Sequence, residues 1–471
     1  MKPTLLKKFR DDDSGGILAF TLIMFLLMVL GGGMAVDFMN YEHRREGVQD
    51  ALDRGVLAAA GLGKDAQATS VAEIAAAEAE AIETVFAYVR SAGYDPISLG
   101  LNVQPNFSIN SQFVAAASNF EVDTYFLRIA GIETLNGGAA SSALVSRNDI
   151  ELSLIVDISG SMAGTKIQDL RTEAGNFIAT MLSGDRPDYT RISLVPFSAQ
   201  VRPSDALINE FNLNRWHSYS NCVDFSASDY DTTNISRTAS LTQTQHWRPS
   251  WVADVDDGDV YWCPPARHEV LPWSNSISQL NASILNLTAT GNTAAYLGMK
   301  WGTALLDPDA NTVFDAVTGS NPTDENYISR PAEFNNDDTL KFIVLMTDGA
   351  NTGGYRIKNG EYNHEGGYPS LRQANANYWN SHNVPWSYSH LENRVTNGQG
   401  DTRLQTICTN AKDAGIIIFT IGYDVEVDSN PYTQMRTCAS SFGHFYNVET
   451  DNLNVAFSSI AQTIQKLKLV N

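Results

Sequence analysis

The 471-residue sequence predicts an α/β protein with a doubly wound, mainly parallel sheet, preceded by a single N-terminal transmembrane helix and a small α+β stalk module. Three observations predict this fold. An uncharged apolar run lies near the N-terminus, strands and amphipathic helices alternate from residue 148 onward, and the strands are nearly continuous apolar runs. Such runs are typical of parallel strands that helices cover on both faces of a sheet.

Residues 16–36 are the predicted transmembrane helix. They carry no charge, and about 20 apolar residues span the roughly 30 Å of a bilayer core as a helix. The alternatives are a cleaved signal peptide and a buried core helix. The apolar region of a signal peptide is usually about 7–15 residues long, whereas this run is longer and a helical pattern continues beyond it. The sequence therefore favours a retained anchor.

The basic residues around this helix indicate its orientation. Residues 1–15 contain four Lys or Arg residues, and the positive-inside rule places such a segment in the cytoplasm. We therefore expect a single-pass membrane protein with a cytoplasmic N-terminus and its bulk in an extracytoplasmic space.

Residues 37–147 are the predicted stalk. A helix is expected to continue from the membrane to residue 60, and apolar residues at intervals of three and four predict a second helix over Val71–Val89. Alternating patterns near residues 102–107 and 120–128 predict half-buried strands. The Gly-, Ala- and Ser-rich residues 137–143 are interpreted as a linker.

Residues 148–470 form the predicted α/β domain. Apolar strands and amphipathic helices alternate here as they do in open α/β sheets. The predicted strands are Ile150–Val156, Ile192–Phe197, Leu340–Met346 and Ile416–Ile421, and the predicted helices include 167–182 and 453–467. The stretches 203–290 and 350–400 do not fit the alternation and are interpreted as long inserts.

Four cysteines, Cys222, Cys263, Cys408 and Cys438, allow three disulfide pairings. We favour Cys222–Cys263 and Cys408–Cys438, because each pair brackets one local segment. The alternative is four buried thiols in a cytosolic protein. Two disulfides would support the extracytoplasmic location.

Composition limits the function. The net charge is −21, and an acidic protein repels phosphate backbones, so nucleic-acid binding is not expected. The motifs of nucleophile-elbow hydrolases, HExxH metalloproteases and P-loop nucleotide-binding proteins do not occur in the sequence. We therefore expect a binding protein and not an enzyme.

Oxygen-bearing side chains follow two of the predicted strands. Asp157, Ser159 and Ser161 come at the end of the first strand of the domain, and Asp348 follows the strand 340–346. Ligands of open α/β sheets bind at the carboxyl ends of strands. Carboxylates and hydroxyls suit a hard cation such as Mg²⁺. The alternative is that the two serines only cap the next helix.

The sequence Asp157-Ile-Ser159-Gly-Ser161, followed far downstream by Thr347-Asp348-Gly, resembles the DxSxS…T…D signature of von Willebrand factor A (VWA) domains. The resemblance covers 148–470 and implies a Rossmann-like VWA domain with a metal-ion-dependent adhesion site (MIDAS). It implies Mg²⁺, or Mn²⁺ or Ca²⁺, as the cofactor and an acidic group of a partner protein as a further ligand. Thr293 fits the position of the family's threonine, with Thr290 as the second candidate.

The layout of the whole chain narrows the resemblance. The apolar N-terminus followed by Asp37, Arg44-Arg45, Gln49 and Asp53 is similar to TadE/G-like proteins, and the following stalk and VWA domain to TadG, of the tight-adherence (Flp) pilus system. This resemblance implies a pilus-assembly protein that is anchored in the bacterial inner (cell) membrane, has its bulk in the periplasm and binds pilus or envelope components. Pilin-like relatives carry Glu five residues after the processing glycine, but here Phe20 follows Gly15 at that spacing, so we expect no processing by a prepilin peptidase. The alternatives are a surface adhesin for a host or abiotic ligand and a structural envelope protein with a vacant metal site.

Overall fold

The computed structural model describes residues 15–61, 71–107, 111–146, 149–184, 187, 189–249, 260–319, 329–336, 338–362, 372–381, 383–384, 390–449 and 452–467. The predicted cytoplasmic segment 1–15 lies outside these residues except for Gly15. The chain divides into two compact units, Met1–Ser146 and Arg147–Asn471.

The first unit contains two long helices and an antiparallel sheet. Its elements are α1 (Gly15–Gly61), α2 (Val71–Ser91), β1 (Asn102–Phe107), β2 (Ser111–Asp123) and β3 (Thr134–Ser146), with the strand order β1-β2-β3. The second half of α1 packs on α2 and on the sheet through a shared core that includes Val48, Leu52, Val56, Val85 and Val114. The stalk is therefore an α+β structure in which α1 is a core helix only beyond the apolar run.

The first half of α1 exposes its apolar side chains. Ile17 is 72% exposed and Phe25 is 63% exposed, and the residues between them are exposed as well. By length and composition this helix is able to cross a membrane. Its exposure distinguishes this half from the buried core helix that the sequence left as an alternative.

Residues 137–143 are not a linker. They lie within β3 and pair with residues 114–120 of β2, from Gly137 opposite Phe120 to Ala143 opposite Val114. Small residues are poor strand formers in isolation, and the long β2 partner overrides this local preference.

The second unit contains the large sheet. Its main strands are β4 (Asp149–Asp157), β5 (Thr190–Phe197), β6 (Arg202–Pro203), β11 (Glu269–Ser274), β12 (Thr339–Thr347), β16 (Ile417–Tyr423) and β17 (Phe445–Val448), in the order β17-β16-β12-β4-β5-β11-β6. Five of the six pairings are parallel, and β11 is antiparallel to β5. The predicted α/β class is confirmed, whereas the sheet is mixed.

Hydrophobic cores lie on both faces of this sheet. Successive residues of β4 point to opposite faces, so Ile155 belongs to one core while Leu154 and Val156 belong to the other. The helices of the unit are α3 (Thr165–Met181), α4 (Asp205–Ile208), α5 (Ile277–Leu285), α6 (Ala295–Ala304), α7 (Asn311–Thr318), α8 (Asn359–Tyr362), α9 (Arg372–Ser381), α10 (Asn397–Asp413), α11 (Asn430–Cys438) and α12 (Leu453–Leu467). Helices α3, α5 and α12 pack with Leu154, and α6, α10 and α11 pack with Ile155.

The stretch 203–290 is not wholly an insert, because its strand β11 joins the main sheet beside β5. The sequence missed this strand because Glu269–Ser274 contains a proline and an acidic residue and lacks a continuous apolar run. The remaining short strands are β7 (Leu213–Asn214), β8 (Val223–Asp224), β9 (Leu241–Gln243), β10 (Arg248–Pro249), β13 (Gly354–Ile357), β14 (Asn383–Val384) and β15 (Leu391–Val395).

The stretches 203–290 and 350–400 pack together. Trp247 and Trp262 of the first stack at 4.9 Å between ring centroids, in a small core that also contains Ile357 and Tyr362 of the second. Strand β10 pairs in parallel with β14 across the two stretches. The aromatic residues of the inserts are therefore core residues of a shared substructure.

Both disulfides form in the predicted pairing. Cys222 and Cys263 bridge at a Cα–Cα distance of 5.8 Å, and Cys408 and Cys438 bridge at 5.2 Å. The closed loops have sequence separations of 41 and 30 residues. Loop-closure entropy of this size stabilises the folded state by about 4 kcal/mol per bridge.

We predict that thiol labelling of the unfolded wild-type chain without reductant finds no reactive cysteine, since all four are oxidised. The Cys408→Ser variant is expected to show one reactive thiol, at Cys438, by mass spectrometry. Labelling of all four cysteines in the wild type would contradict both bridges.

We predict that Gly298→Ala destabilises the protein by about 1–3 kcal/mol, the usual cost of overpacking a core. A Cβ at Gly298 of α6 would lie 2.7 Å from the Phe197 ring and 2.8 Å from Ile155. Gly398→Ala in α10 is the control, because a Cβ there meets no atom within 4 Å. Equal thermal midpoints for the two variants would contradict the close contact of α6 with the sheet.

Candidate metal site at the carboxyl edge of the sheet

Asp157 ends β4 and lies fully buried at the carboxyl edge of the sheet. Its Oδ1 accepts a hydrogen bond from the Ser159 backbone N–H at 2.7 Å, and its Oδ2 accepts one from the Thr347 hydroxyl at 2.6 Å. Thr347 is the last residue of β12, the neighbouring parallel strand. Both oxygens of Asp157 are therefore oriented by the ends of two strands.

Three other predicted ligands form a chain of oxygens next to Asp157. The hydroxyls of Ser159 and Ser161 lie 3.0 Å apart, and the Ser161 hydroxyl donates to Asp348 Oδ1 at 2.6 Å. The structure thus brings together Asp157, Ser159, Ser161 and Asp348, although Asp157 and Asp348 are 191 residues apart in the sequence. The serine side chains make no helix cap in the described structure, because neither supplies a side-chain hydrogen bond to the turn Gly160–Met162 or to α3.

The predicted threonines lie on the loop before α6. The Thr290 N–H donates to the Ile158 carbonyl at 2.8 Å, and the Gly291 carbonyl accepts from the Gly160 N–H at 2.9 Å. Further along, the Thr293 N–H donates to the Thr352 hydroxyl at 2.9 Å. This threonine loop, residues 286–294, is therefore joined to the backbone of the serine loop, residues 158–164, and to the segment that follows Asp348.

The two threonines differ in their hydroxyl environment. The Thr290 hydroxyl is buried and has no hydrogen-bond partner among the described residues, and an unpaired buried hydroxyl costs free energy. Thr293 is 5% exposed, and the family resemblance points to it. Both remain candidates for a ligand.

Lys166 supplies a positive charge beside the site. Its ammonium donates to Asp348 Oδ2 at 2.9 Å and lies 3.6 Å from Asp424 Oδ2. Asp424 follows β16, next to β12 in the sheet, and has a left-handed backbone with φ of 58°. Sequence reasoning missed both residues. Asp424 follows the predicted strand 416–421, and its position after a parallel strand was a signal that could have indicated it. No sequence pattern indicated Lys166.

Electrostatics of the site favour a cation. Burial, and next the negative charge of Asp348, raise the pKa of Asp157 to about 7. Two carboxylates that are held together away from water repel each other. A bound cation between them would relieve this repulsion.

The donor set fits a small divalent ion. Ligand oxygens at 2.0–2.1 Å from Mg²⁺ in octahedral geometry lie about 3 Å from each other, and the oxygens of Ser159, Ser161 and Asp348 are spaced at 3.0 and 2.6 Å. Among the described residues no group of three His, Cys, Asp or Glu side chains clusters for a metal. The oxygens that lie together here are those of carboxylates and hydroxyls, and Asp348 also pairs with Lys166.

His268 accepts a hydrogen bond from the threonine loop. Its Nε2 accepts the backbone N–H of Thr288 at 3.0 Å, and the side chain is fully buried. Burial, with smaller contributions from Arg267 and Arg171, lowers the pKa of His268 to about 3. The ring is therefore neutral in the folded protein and able to accept this hydrogen bond.

The polar residues that follow the apolar run have structural roles in the first unit. The Asp37 carboxylate accepts hydrogen bonds from the backbone N–H groups of Tyr125, Phe126 and Leu127 at 3.0, 2.8 and 2.7 Å. Arg44 lies over the Phe120 ring at 5.9 Å. The Gln49 side-chain amide donates to Asp53 Oδ1 and to the Ala140 carbonyl. These polar residues join α1 to the three-stranded sheet.

A family model matches the N-terminal segment. Residues 15–65 match the Tad family model, "Putative Flp pilus-assembly TadE/G-like". The predicted TadE/G-like resemblance is thereby confirmed for the N-terminal helix and its polar residues. No functionally curated protein matches the chain.

Solved structures with some similarity include pilus tip proteins and a pilus adhesin. The vWF domain of Mfa5 from Porphyromonas gingivalis is 15% identical with a TM-score of 0.36, over 68% of this chain and 97% of that one. The adhesive tip pilin GBS104 of Group B Streptococcus agalactiae is 13% identical with a TM-score of 0.31, and the match covers 68% of this chain and 100% of that one. The pilus adhesin SpaC of Lactobacillus rhamnosus GG is 13% identical with a TM-score of 0.35. The match covers 78% of this chain and 34% of SpaC, so the chain spans about a third of SpaC. Scores of this size decide neither fold nor function, and the site is interpreted from its own contacts.

We predict that His268 makes the folded state acid-sensitive. The unfolded chain binds a proton near pH 6.5 and the folded chain only near pH 3, so the contribution to stability is complete above pH 6.5 and falls as the pH drops toward 3, by an amount on the order of a few kcal/mol. The thermal midpoint of His268→Gln should fall less between pH 7 and pH 4.5 than that of the wild type. The exposed His43→Gln is the control, and identical pH slopes for all three proteins would refute the assignment.

Proposed function

We propose that the chain is a membrane-anchored extracytoplasmic protein of the Flp/Tad pilus system, whose VWA-type α/β domain binds a protein partner through a divalent cation. The single observation that carries this proposal is the cluster of Asp157, Ser159, Ser161 and Asp348 at the carboxyl edge of the sheet. The TadE/G-like match at residues 15–65 supports the pilus context.

Mg²⁺, or Mn²⁺ or Ca²⁺, would be held by Ser159, Ser161 and Asp348, with Thr293 or Thr290 as a further ligand. Asp157 would bind the ion directly or through water and neutralise part of its charge, while its hydrogen bonds orient Ser159 and Thr347. The ion would offer a Lewis-acidic position to a carboxylate of the partner. The hydrogen-bonded hydroxyls and carboxylates of the cluster suit the binding of a cation and, through it, of a partner.

The apolar half of α1 is the proposed anchor. Its exposed apolar side chains and its length suit a bilayer span. The two disulfides support an oxidising compartment, and with the basic residues of the N-terminus they support a periplasmic location for the α/β domain. A surface adhesin is the second candidate, and the same cluster supports it.

We predict that calorimetric titration of Mg²⁺ or Mn²⁺ into the detergent-purified full chain shows binding that Asp157→Ala and Asp348→Ala abolish, because each removes one of the two charges that balance the cation. Asp413→Ala is the matched control. Asp413 is an exposed carboxylate at the end of α10, just before β16 begins at the opposite edge of the sheet. Binding that survives both site variants, or a wild type that binds neither ion, would overturn the metal site. Thr290→Val and Thr293→Val identify the threonine ligand in the same assay.

We predict that Lys166→Gln tightens Mg²⁺ binding by roughly threefold to tenfold, equivalent to about 0.7–1.4 kcal/mol. Removing the ammonium leaves Asp348 Oδ2 available and removes a repulsive charge from the cation site. Lys412→Gln, at the far end of α10, controls for the change in net charge. Unchanged or weaker binding in Lys166→Gln would show that this lysine does not compete with the ion.

A partner search tests the pilus proposal. Envelope proteins that bind the immobilised full chain in Mg²⁺, elute with a chelator and are lost with Asp348→Ala would be its partners, and pilus components among them support the assembly function. Digestion of the α/β domain by protease added to intact cells would favour the adhesin. Partners that remain bound in chelator would favour a structural envelope protein.

A further inference from the structure

The β2–β3 loop, residues 124–133, is fixed to the end of the apolar run of α1. Asp37 is the first residue after the predicted span, and its carboxylate binds three consecutive N–H groups of the loop. One helical turn earlier, Gly33 is buried under the ring of Phe126. Gly33 and Asp37 lie on one face of the helix, so the loop packs beside the last turn of the apolar run.

The loop presents apolar side chains outward at this level. Tyr125 is 72% exposed, Ile129 is 70% exposed and Ile132 is 44% exposed. On the adjacent turn of α1, Phe38 is 57% exposed and Met39 is 72% exposed. Like the apolar side chains of residues 17–29, these side chains are exposed, although they belong to a folded unit that has a core of its own.

The charges of the loop suit a lipid boundary. In a chain with a net charge of −21, the segment 124–133 contains only Arg128 and Glu133 as charged residues. Arg128 is exposed at the start of the turn that also presents Ile129. Tyrosine and arginine are enriched at the level of lipid headgroups, where one part of the side chain is apolar and the other is hydrated.

We propose that the loop 124–133 is a second membrane contact, which inserts Tyr125, Ile129 and Ile132 into the interfacial layer of the leaflet from which α1 emerges, with Arg128 at the lipid phosphates. This inference rests on the proposed membrane anchor. Two contacts, a spanning helix and an interfacial loop, restrict the tilt and rotation of the first unit on the membrane more than a single helix does.

Single-cysteine probes test the contact. All four native cysteines are in disulfides, so Ile129→Cys, Ile132→Cys, Ile97→Cys and Leu26→Cys are each labelled selectively with an NBD fluorophore without reductant. The full chain is reconstituted into phosphatidylcholine and phosphatidylglycerol vesicles, with nitroxides placed on the lipids near the headgroup or deep in the acyl chain.

Ile97 is the matched control. It is also an isoleucine and is 87% exposed, but the nearby Tyr94 contacts Gly47 of α1, which lies ten residues, or about 15 Å, beyond Asp37 along the helix. Leu26 lies in the apolar run and reports on the anchor itself.

The labels at 129 and 132 are expected to show blue-shifted emission and several-fold stronger quenching by headgroup nitroxides than the label at 97, while the label at 26 is quenched by the deep nitroxide. If the label at 26 is quenched but those at 129 and 132 behave like the label at 97, the interfacial contact is wrong and the anchor stands. A blue shift at 129 without quenching by lipid indicates a protein interface and also overturns the proposal. No quenching at 26 refutes the anchor.

Discussion

The parallel pairing of β4 with β12 determines the site. Asp149 to Val156 of β4 pair in register with Thr339 to Met346 of β12, so the residues after each strand meet at one edge. Because of this register, the Thr347 hydroxyl donates a hydrogen bond to Asp157, and the Ser161 hydroxyl donates one to Asp348. A slip of one residue would turn the strand's side chains to the opposite faces, which would separate these contacts and expose both apolar faces. The packing of the two cores therefore also maintains the spacing of the oxygens.

Hydrogen bonds from the surrounding loops hold the cluster in place, but its negative charge is only partly balanced. The threonine loop is held by backbone hydrogen bonds from the serine loop and by Thr352, and His268 supports it through Thr288. Lys166 pairs with Asp348 and lies 3.6 Å from Asp424, while Asp157 remains buried beside the like charge of Asp348. Preorganised oxygens with excess negative charge are a good arrangement for capturing a cation, because the cost of bringing the carboxylates together is met by folding.

In the first unit, one long helix, α1, connects the apolar run to the folded core. Helix α1 changes its environment along its length, from exposed apolar side chains to a core shared with α2 and the sheet. Asp37 marks this change: it is a buried carboxylate with three backbone donors, which favour its charged form and lower its pKa despite its burial. The polar residues of the TadE/G-like segment thus fix the folded unit to the helix at the end of the apolar run.

The sequence alone determined the features that depend on local patterns. Apolar runs and three- to four-residue spacing predicted the membrane-length helix, α2, β4, β12 and β16, and the short separations of the cysteines predicted both bridges. Predicting Asp157, Ser159, Ser161 and Asp348 as one cluster needed only the rule that parallel strands end at the same edge. Tertiary structure alone decided that β11 joins the sheet, that residues 137–143 pair with β2 and that Trp247 packs with Ile357. It also placed Lys166 on Asp348 and the loop 124–133 on α1. Those contacts link residues far apart in the chain, and their free energy comes from burial and hydrogen bonding to partners that no local periodicity reveals.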